Sequence, residues 1–164
     1  MNAKILLKIT CLSAIIALCS CERHQAKVGT NSSTEIALIE KTISNAIRWA
    51  KDKDTSLLYS IIAKNENYLE VDPNGPIILG YSNFKKAEKF WLDPRFKAIR
   101  CDIWDMKINL SNDGTVAWYY CMLNDVNEWD GKPACWMNTR WTGVLEKQNG
   151  KWVIVQMHFS FASK

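Results

Sequence analysis

The stretch that decides the fold is Arg140-Trp141-Thr142-Gly143-Val144-Leu145-Glu146-Lys147-Gln148-Asn149-Gly150-Lys151-Trp152-Val153-Ile154-Val155-Gln156-Met157-His158-Phe159-Ser160. Apolar residues alternate on both sides of Asn149-Gly150, the pair that favours a tight hairpin turn because both positions tolerate positive φ. Two antiparallel strands follow. In the last strand Val153, Val155, Met157, Phe159 and Phe161 form one apolar face, while Trp152, Ile154, Gln156, His158 and Ser160 form a mixed one. A slip of one residue would turn every core side chain outward, so the pattern also predicts register. Pairing Val153 with Leu145 and Met157 with Trp141 asks for a three-residue loop around Asn149-Gly150, and it sets His158 opposite Arg140 and Phe159 opposite Thr139.

Working back toward the N-terminus, the period of two persists to Ile99, and Asp113-Gly114 and Asp130-Gly131 mark two more turns. The expectation is a four-stranded meander. A three-residue loop at Asp130-Gly131 places Tyr119 opposite Trp141 and Cys121 opposite Thr139. A two-residue turn at Asp113-Gly114 aligns Trp104 with Leu123, Met106 with Cys121 and Asp102 with Asp125. Cys101 then lies on the outer face and Cys121 and Cys135 on the inner one, too far out of register to bridge, which predicts three free thiols.

Upstream of the strands the period becomes helical. From Thr34 to Ala50, residues Ile36, Leu38, Ile39, Ile43, Ala46, Ile47 and Ala50 describe one face of an amphipathic helix that Ser33 or Thr34 can cap. Residues 55–63 predict a second, shorter helix. Tyr68-Leu69-Glu70-Val71 reads as a strand ended by Asp72-Pro73-Asn74-Gly75-Pro76, where prolines and glycine exclude a regular element. A third helix carrying Phe84, Ala87, Phe90 and Trp91 ends before Pro94. Helices first and a sheet last make one α+β domain over 34–164, which suits a chain of 164 residues.

The N-terminus reads as an export signal. Met1 to Lys8 carries two lysines, and Ile9 to Leu18 is an uncharged apolar run too short to span a bilayer. Leu18-Cys19-Ser20-Cys21 resembles the bacterial lipobox, which would make 1–20 a lipoprotein signal peptide and Cys21 the acylated first residue. The resemblance implies a bacterial membrane anchor on the periplasmic or cell-surface side. The alternative is a plain secretory leader cut nearby. Residues 21–33, polar and without apolar period, read as a flexible tether. Without Lys4 and Lys8, 19 basic residues face 17 acidic ones. That balance, with no basic stripe, excludes the electrostatic footprint of a nucleic-acid binder.

Helices, a short strand, a third helix and a curved meander resemble the layout of the nuclear transport factor 2-like superfamily. The ending from Arg140 to Lys147, then Asn149 to Trp152 and His158-Phe159-Ser160, resembles its SnoaL-like branch and the calcium/calmodulin-dependent kinase association domains. Asp72-Pro73-Asn74-Gly75, with Gly80-Tyr81 and Phe84, resembles the strand-to-helix passage there. The resemblance implies a cone-shaped cavity between helices and sheet, and dimerisation through the outer sheet face. In this chain it implies cavity walls from Trp104, Met106, Tyr119 and Cys121 on two strands, and from Thr139, Trp141, Met157 and Phe159 on the others. Such residues either line an open pocket for a small apolar molecule or fill the core.

Acid/base enzymes of the superfamily use a carboxylate or a His–Asp pair inside the cone, where burial tunes the pKa. His158 falls on the outer face, so the candidates are Asp102 and Asp125. That equipment is thin, and it points to binding rather than to catalysis, with an enzyme of the cyclase, isomerase or dehydratase type as the alternative and a structural adaptor as a third reading. The sequence carries no metal-ligand spacing, and no cofactor is called for. The outer face, with Trp118, Tyr120, Met122, Trp136, Ile154 and Trp152, is more apolar than a solvated face should be, and it suits a homodimer.

Overall fold

A computed structural model describes residues 28–162 of the chain. Helix α1 (Val28–Asp52) starts earlier than the capping pattern suggested, and so takes in the end of the stretch read as a tether. No proline interrupts residues 28–33, so the helix extends backward from its packed section without meeting a breaker. Among the described residues no helix is long and apolar enough to cross a membrane. Export signal and Cys21 lie outside the described residues.

Helix α2 (Thr55–Ile61) is capped by the Asp54 carboxylate, which accepts from the backbone N–H of Leu57 at 2.9 Å. Then come β1 (Leu69–Val71), β2 (Ile77–Leu79), α3 (Tyr81–Lys86) and α4 (Glu88–Trp91). The expected third helix is therefore two short ones, broken at Ala87. The meander follows as β3 (Phe96–Leu110), β4 (Val116–Trp129), β6 (Trp136–Gln148) and β7 (Lys151–Ser160), with a small hairpin strand β5 (Lys132–Pro133) between β4 and β6. Strand order is β2-β1-β7-β6-β4-β3. Strand β1 joins β7 in parallel, Glu70 beside Met157, so the sheet is mixed where the sequence predicted an antiparallel one.

Helix α1 lies across the concave face of the sheet. Ile39, Ile43 and Ala46 pack on Ala117, Tyr119, Leu145 and Ile154 in one continuous core. Glu35 fixes the helix to the end of the sheet, accepting from the Lys147 ammonium at 2.7 Å and from the Trp152 indole N–H at 2.6 Å. These two bonds hold its carboxyl below the usual range. Tyr119 lies flat across Gly143, its partner on β6, where a Cβ would sit 2.5 Å from the Tyr119 ring and 2.6 Å from the Gln156 carbonyl oxygen. Only glycine lets that ring reach the sheet surface.

Four bulges, at Ile99, Asp105-Met106, Asn138 and Val155, decide which side chains reach the concave face. On β3 the pairing runs as predicted from Leu110 opposite Ala117 to Lys107 opposite Tyr120, then an extra residue enters at Asp105-Met106, where Asp105 has φ 52°. Beyond it Trp104 pairs with Met122, Asp102 with Asn124 and Cys101 with Asp125. The predicted Trp104–Leu123 and Asp102–Asp125 pairs are overturned for this reason. Trp104 and Asp102 face outward, and Ile103 and Cys101 take the inner side.

On β6 the extra residue is at Asn138, also at positive φ, whose backbone N–H donates to Asn124 Oδ1 at 2.8 Å. Tyr119 accordingly faces Gly143, Cys121 faces Trp141, and Leu123 faces Thr139, two residues along from the expected pairs but on the expected face. On β7 the turn is a two-residue one, Gln148 opposite Lys151, and the bulge at Val155 shifts the pairing by one residue more, which returns Met157 and Phe159 to the expected face. Met157 then pairs with Gly143, Phe159 with Trp141 and His158 with Thr142, in place of the partners predicted for them. The bulge also turns Trp152 and Ile154 into the core, against the expectation that they cover the outer face.

Candidate functional site

Where α1 covers the sheet fully the concave face is closed; beyond its C-terminal half it opens into a cavity of about 720 Å³. The floor of this cavity is the end of the sheet where β3 begins, β4 ends, β6 begins and β7 ends. Ala46, Trp49 and Ala50 of α1 make one wall, Phe84 and Trp91 another, and Met157 and Phe159 the floor. The aromatic rings support one another: Trp49 meets Trp91 edge-on at 5.5 Å, Phe84 lies 5.1 Å from Trp91, and Trp136 lies 5.2 Å from Phe159.

Five polar side chains interrupt the apolar wall, the exposed Asn74 at its rim and four others. Glu70, on β1 beside Met157, is only 6% exposed, and its Oε2 accepts from the Tyr68 hydroxyl at 2.6 Å. Burial pushes its carboxyl up to about 7, against the lowering effect of the tyrosine hydrogen bond and with help from the neighbouring Asp72 charge. Asp72 follows as the chain leaves the strand; burial raises its pKa too, and its Oδ1 has no hydrogen-bond partner. Asp125, across the cavity on β4, is likewise raised by burial, partly offset by the Asn127 amide that donates to its Oδ2 at 2.8 Å. Asn127, 6% exposed, leaves its own Oδ1 unpartnered.

The residues expected at the site divide sharply. Asp125, Met157 and Phe159 line the cavity. Tyr119, Cys121, Thr139 and Trp141 face the same way but lie beneath α1 in the closed core. Trp141 is 0% exposed, edge-on to Tyr119 at 5.4 Å and stacked on Phe159 at 5.2 Å. Met106 packs against the core without reaching the cavity. Trp104 and Asp102 sit on the outer side, where Asp102 pairs with Arg100 at 3.1 Å in an exposed ion pair. Cys101, Cys121 and Cys135 are free thiols, although Cys101 faces inward rather than outward.

Sequence reasoning missed Glu70 and Asp72. Both were in view in the short strand Tyr68-Leu69-Glu70-Val71 and the turn after it, but their place depended on β1 adding to the far edge of the sheet in parallel. The available signal was Glu70 itself, a charged residue inside an otherwise apolar strand. Among the described residues no three His, Cys, Asp or Glu side chains converge closely enough to hold a metal ion.

The SnoaL-like domain family matches residues 39–164. The chain belongs to the SnoaL-like family. Solved structures agree on the fold of this SnoaL-like domain. One is a proposed dehydratase of the nuclear transport factor 2-like family from Streptomyces avermitilis, 14% identical, covering 80% of this chain and 99% of that one with a TM-score of 0.67. Another is a proposed scytalone dehydratase from Novosphingobium aromaticivorans, 10% identical, covering 82% and 93% with a TM-score of 0.67. A third is a proposed calcium/calmodulin-dependent kinase II association domain from Exiguobacterium sibiricum, 9% identical, covering 79% and 95% with a TM-score of 0.64. No curated protein matches the chain in sequence. The expected cone of the nuclear transport factor 2-like superfamily, helices against a strongly curved sheet, is therefore the fold of this SnoaL-like domain.

Proposed function

We propose that this SnoaL-like domain binds a small, largely apolar molecule in the cavity between α1, the short helices α3 and α4, and the open end of the sheet. The observation that carries this reading is the cavity itself: about 720 Å³, within the range of small-molecule sites, and walled by mutually supporting aromatic rings. A neutral fluorophore such as Nile red tests it. Saturable binding by the native protein is expected, with affinity reduced at least about fivefold by Ala50→Phe, which adds a ring to the wall at the same thermal stability. No saturable binding, or an Ala50→Phe variant that binds equally, would overturn the reading.

One observation favours acid/base catalysis as a second reading. Glu70 lines the cavity, and a carboxyl raised to about 7 can both give and take a proton near neutrality. Two of the solved structures with this fold carry the name of a dehydratase, and another that of a hexachlorocyclohexane dehydrochlorinase. In this reading Glu70 replaces Asp102 as the proton carrier and Asp125 supplies the second carboxylate. Glu70→Gln should then retain Nile red binding and lose turnover of whatever substrate a screen yields; retained turnover would remove Glu70 from the role.

Anchoring and assembly complete the proposal. Cys21 anchors the exported chain to a bacterial membrane, supported by Leu18-Cys19-Ser20-Cys21, and Cys21→Ser should move the protein from the membrane fraction to the soluble one. A second copy covers the outer face of β4, where Trp118 and Tyr120 are 47% and 37% exposed beside Met122 and Trp104. The association domain that shares the fold is a precedent for assembly. Light scattering is expected to give a dimer that Trp118→Glu converts to a monomer; a native monomer at micromolar concentration would overturn this part.

A further inference from the structure

We propose that the molecule held in the cavity carries a protonated nitrogen: an organic amine whose apolar body lies among the aromatic rings and whose charged end lies in the field of the surrounding carboxylates, against the Asn127 oxygen. The inference rests on the binding reading above and names the chemical class of its ligand.

The polar chemistry of the cavity is one-sided. Glu70, Asp72 and Asp125 line it, and no Lys, Arg or His among the described residues does. Three carboxylates around one apolar space are costly to ionise unless something positive joins them. Nearby donors are partly engaged: Tyr68 O–H with Glu70, the Asn127 amide with Asp125, and the Cys135 thiol with the Asn127 backbone carbonyl at 3.4 Å. Two buried acceptors lack any donor. Asn127 Oδ1 is buried without a partner in a side chain that is only 6% exposed, and Asp72 Oδ1, in a half-buried residue, also lacks a partner. A buried acceptor without a donor is destabilising, and ligand N–H groups would satisfy it.

Shape separates an organic cation from a metal ion. Glu70 on β1 and Asp125 on β4 are three strands apart, each step about 4.8 Å along a curved sheet, so the carboxylates ring the cavity instead of converging. Among the described residues no three-ligand cluster forms. The space between them is faced by Trp49, Trp91, Trp136 and Phe159, whose ring faces attract a cation as well as an apolar body.

The test uses three probes with one body and different ends: tryptamine, the neutral alcohol tryptophol, and the anion indole-3-propionate. Each is titrated calorimetrically into the full chain at about pH 8, above the value of about 7 to which the Glu70 carboxyl is raised and where the amine keeps its proton. Tryptamine is expected to bind at least about tenfold more tightly than tryptophol, with indole-3-propionate weakest, and Asp125→Asn and Asp72→Asn should each shrink the amine preference several-fold while leaving tryptophol affinity unchanged. If tryptophol binds as well as tryptamine, or both variants keep the full preference, the amine inference is overturned and the apolar pocket stands. If none of the three binds, the pocket reading fails and this inference with it.

Discussion

The concave face of one sheet does two different things along its length. At the end where β3 leaves and β4 enters, Tyr119, Trp141, Leu145 and Ile154 lie under α1 and are closed from solvent. At the opposite end the same strands carry Asp125, Asn127, Trp136 and Phe159 around open space. Composition does not separate the two ends, since both are rich in aromatic residues. What differs is the cover: α1 seals one end, while α3 and α4 only wall the other, and β1 brings Glu70 and Asp72 to that rim. An aromatic side chain on this face is therefore a stability residue or a binding residue according to how far along the strand it sits.

Trp141 and Trp91 break or sharpen that contrast most strongly. Trp141→Ala should cost about 3–5 kcal/mol, the usual loss for a large buried aromatic, whereas Trp91→Ala at the half-buried wall should cost less than about half of that and act chiefly on ligand affinity. Denaturant unfolding measures both. Equal costs would mean that the cavity end is as tightly packed as the closed end.

Glu70 gives the next largest effect, and its sign follows from the direction of its shift. The folded carboxyl sits at about 7 and the ordinary value is 4.5, so the folded chain holds the proton more tightly than the unfolded one. Both states are protonated below about pH 4, and this group then costs nothing. As pH rises from 4.5 through 7 the burial of a charge is felt progressively, reaching about 3 kcal/mol at 1.36 kcal/mol per tenfold change in proton affinity. Tyr68 donates to the group, Asp72 repels it, and no cation faces it from the cavity wall. Glu70→Gln should therefore be more stable than the native protein by up to about 3 kcal/mol at pH 8 and equal to it at pH 4. Unfolding curves at the two pH values check this; a difference independent of pH would show that Glu70 ionises freely.

The smallest effect concerns the device that assigns β3 residues to the two faces. Asp105 holds φ 52°, which Asp tolerates and a β-branched residue does not. Asp105→Gly should change stability by less than about 1 kcal/mol, whereas Asp105→Val should cost about 1–2 kcal/mol. If Asp105→Val were harmless, the bulge would be dispensable and the outward position of Trp104 would need another cause.

These particulars show what was legible in the sequence and what was not. Alternation of apolar residues and the pairs Asp113-Gly114, Asp130-Gly131 and Asn149-Gly150 were enough for the meander, and helical periodicity was enough for α1 and α2. Faces were readable on β4, where alternation runs unbroken from Ala117 to Asn127, so Asp125 was placed correctly. They were misread beyond Asp105 on β3, before Asn138 on β6, where Trp136 turns inward and not outward, and before Val155 on β7, because a bulge changes phase without changing composition. Asp105 and Asn138 were the available warnings, each being a residue that accepts positive φ in mid-strand. Glu70 was out of reach for another reason: a three-residue strand joining a partner 87 positions away, Glu70 beside Met157, leaves no local pattern of its own.

The bulge at Asp105 has a consequence for solubility. Strand β3, Phe96–Leu110, is one edge strand of the sheet, and an edge of fifteen residues is a template on which another chain could add its own strand and start an aggregate. Here that edge is kinked at Asp105 and again at Ile99, and it carries Lys97, Arg100 and Lys107. A flat incoming strand would lose its hydrogen-bond ladder at each kink and meet charged side chains on either side of them. The irregularity that fixes the inner wall of β3 thus also guards its rim, so a variant that straightened the strand would lose both protections together.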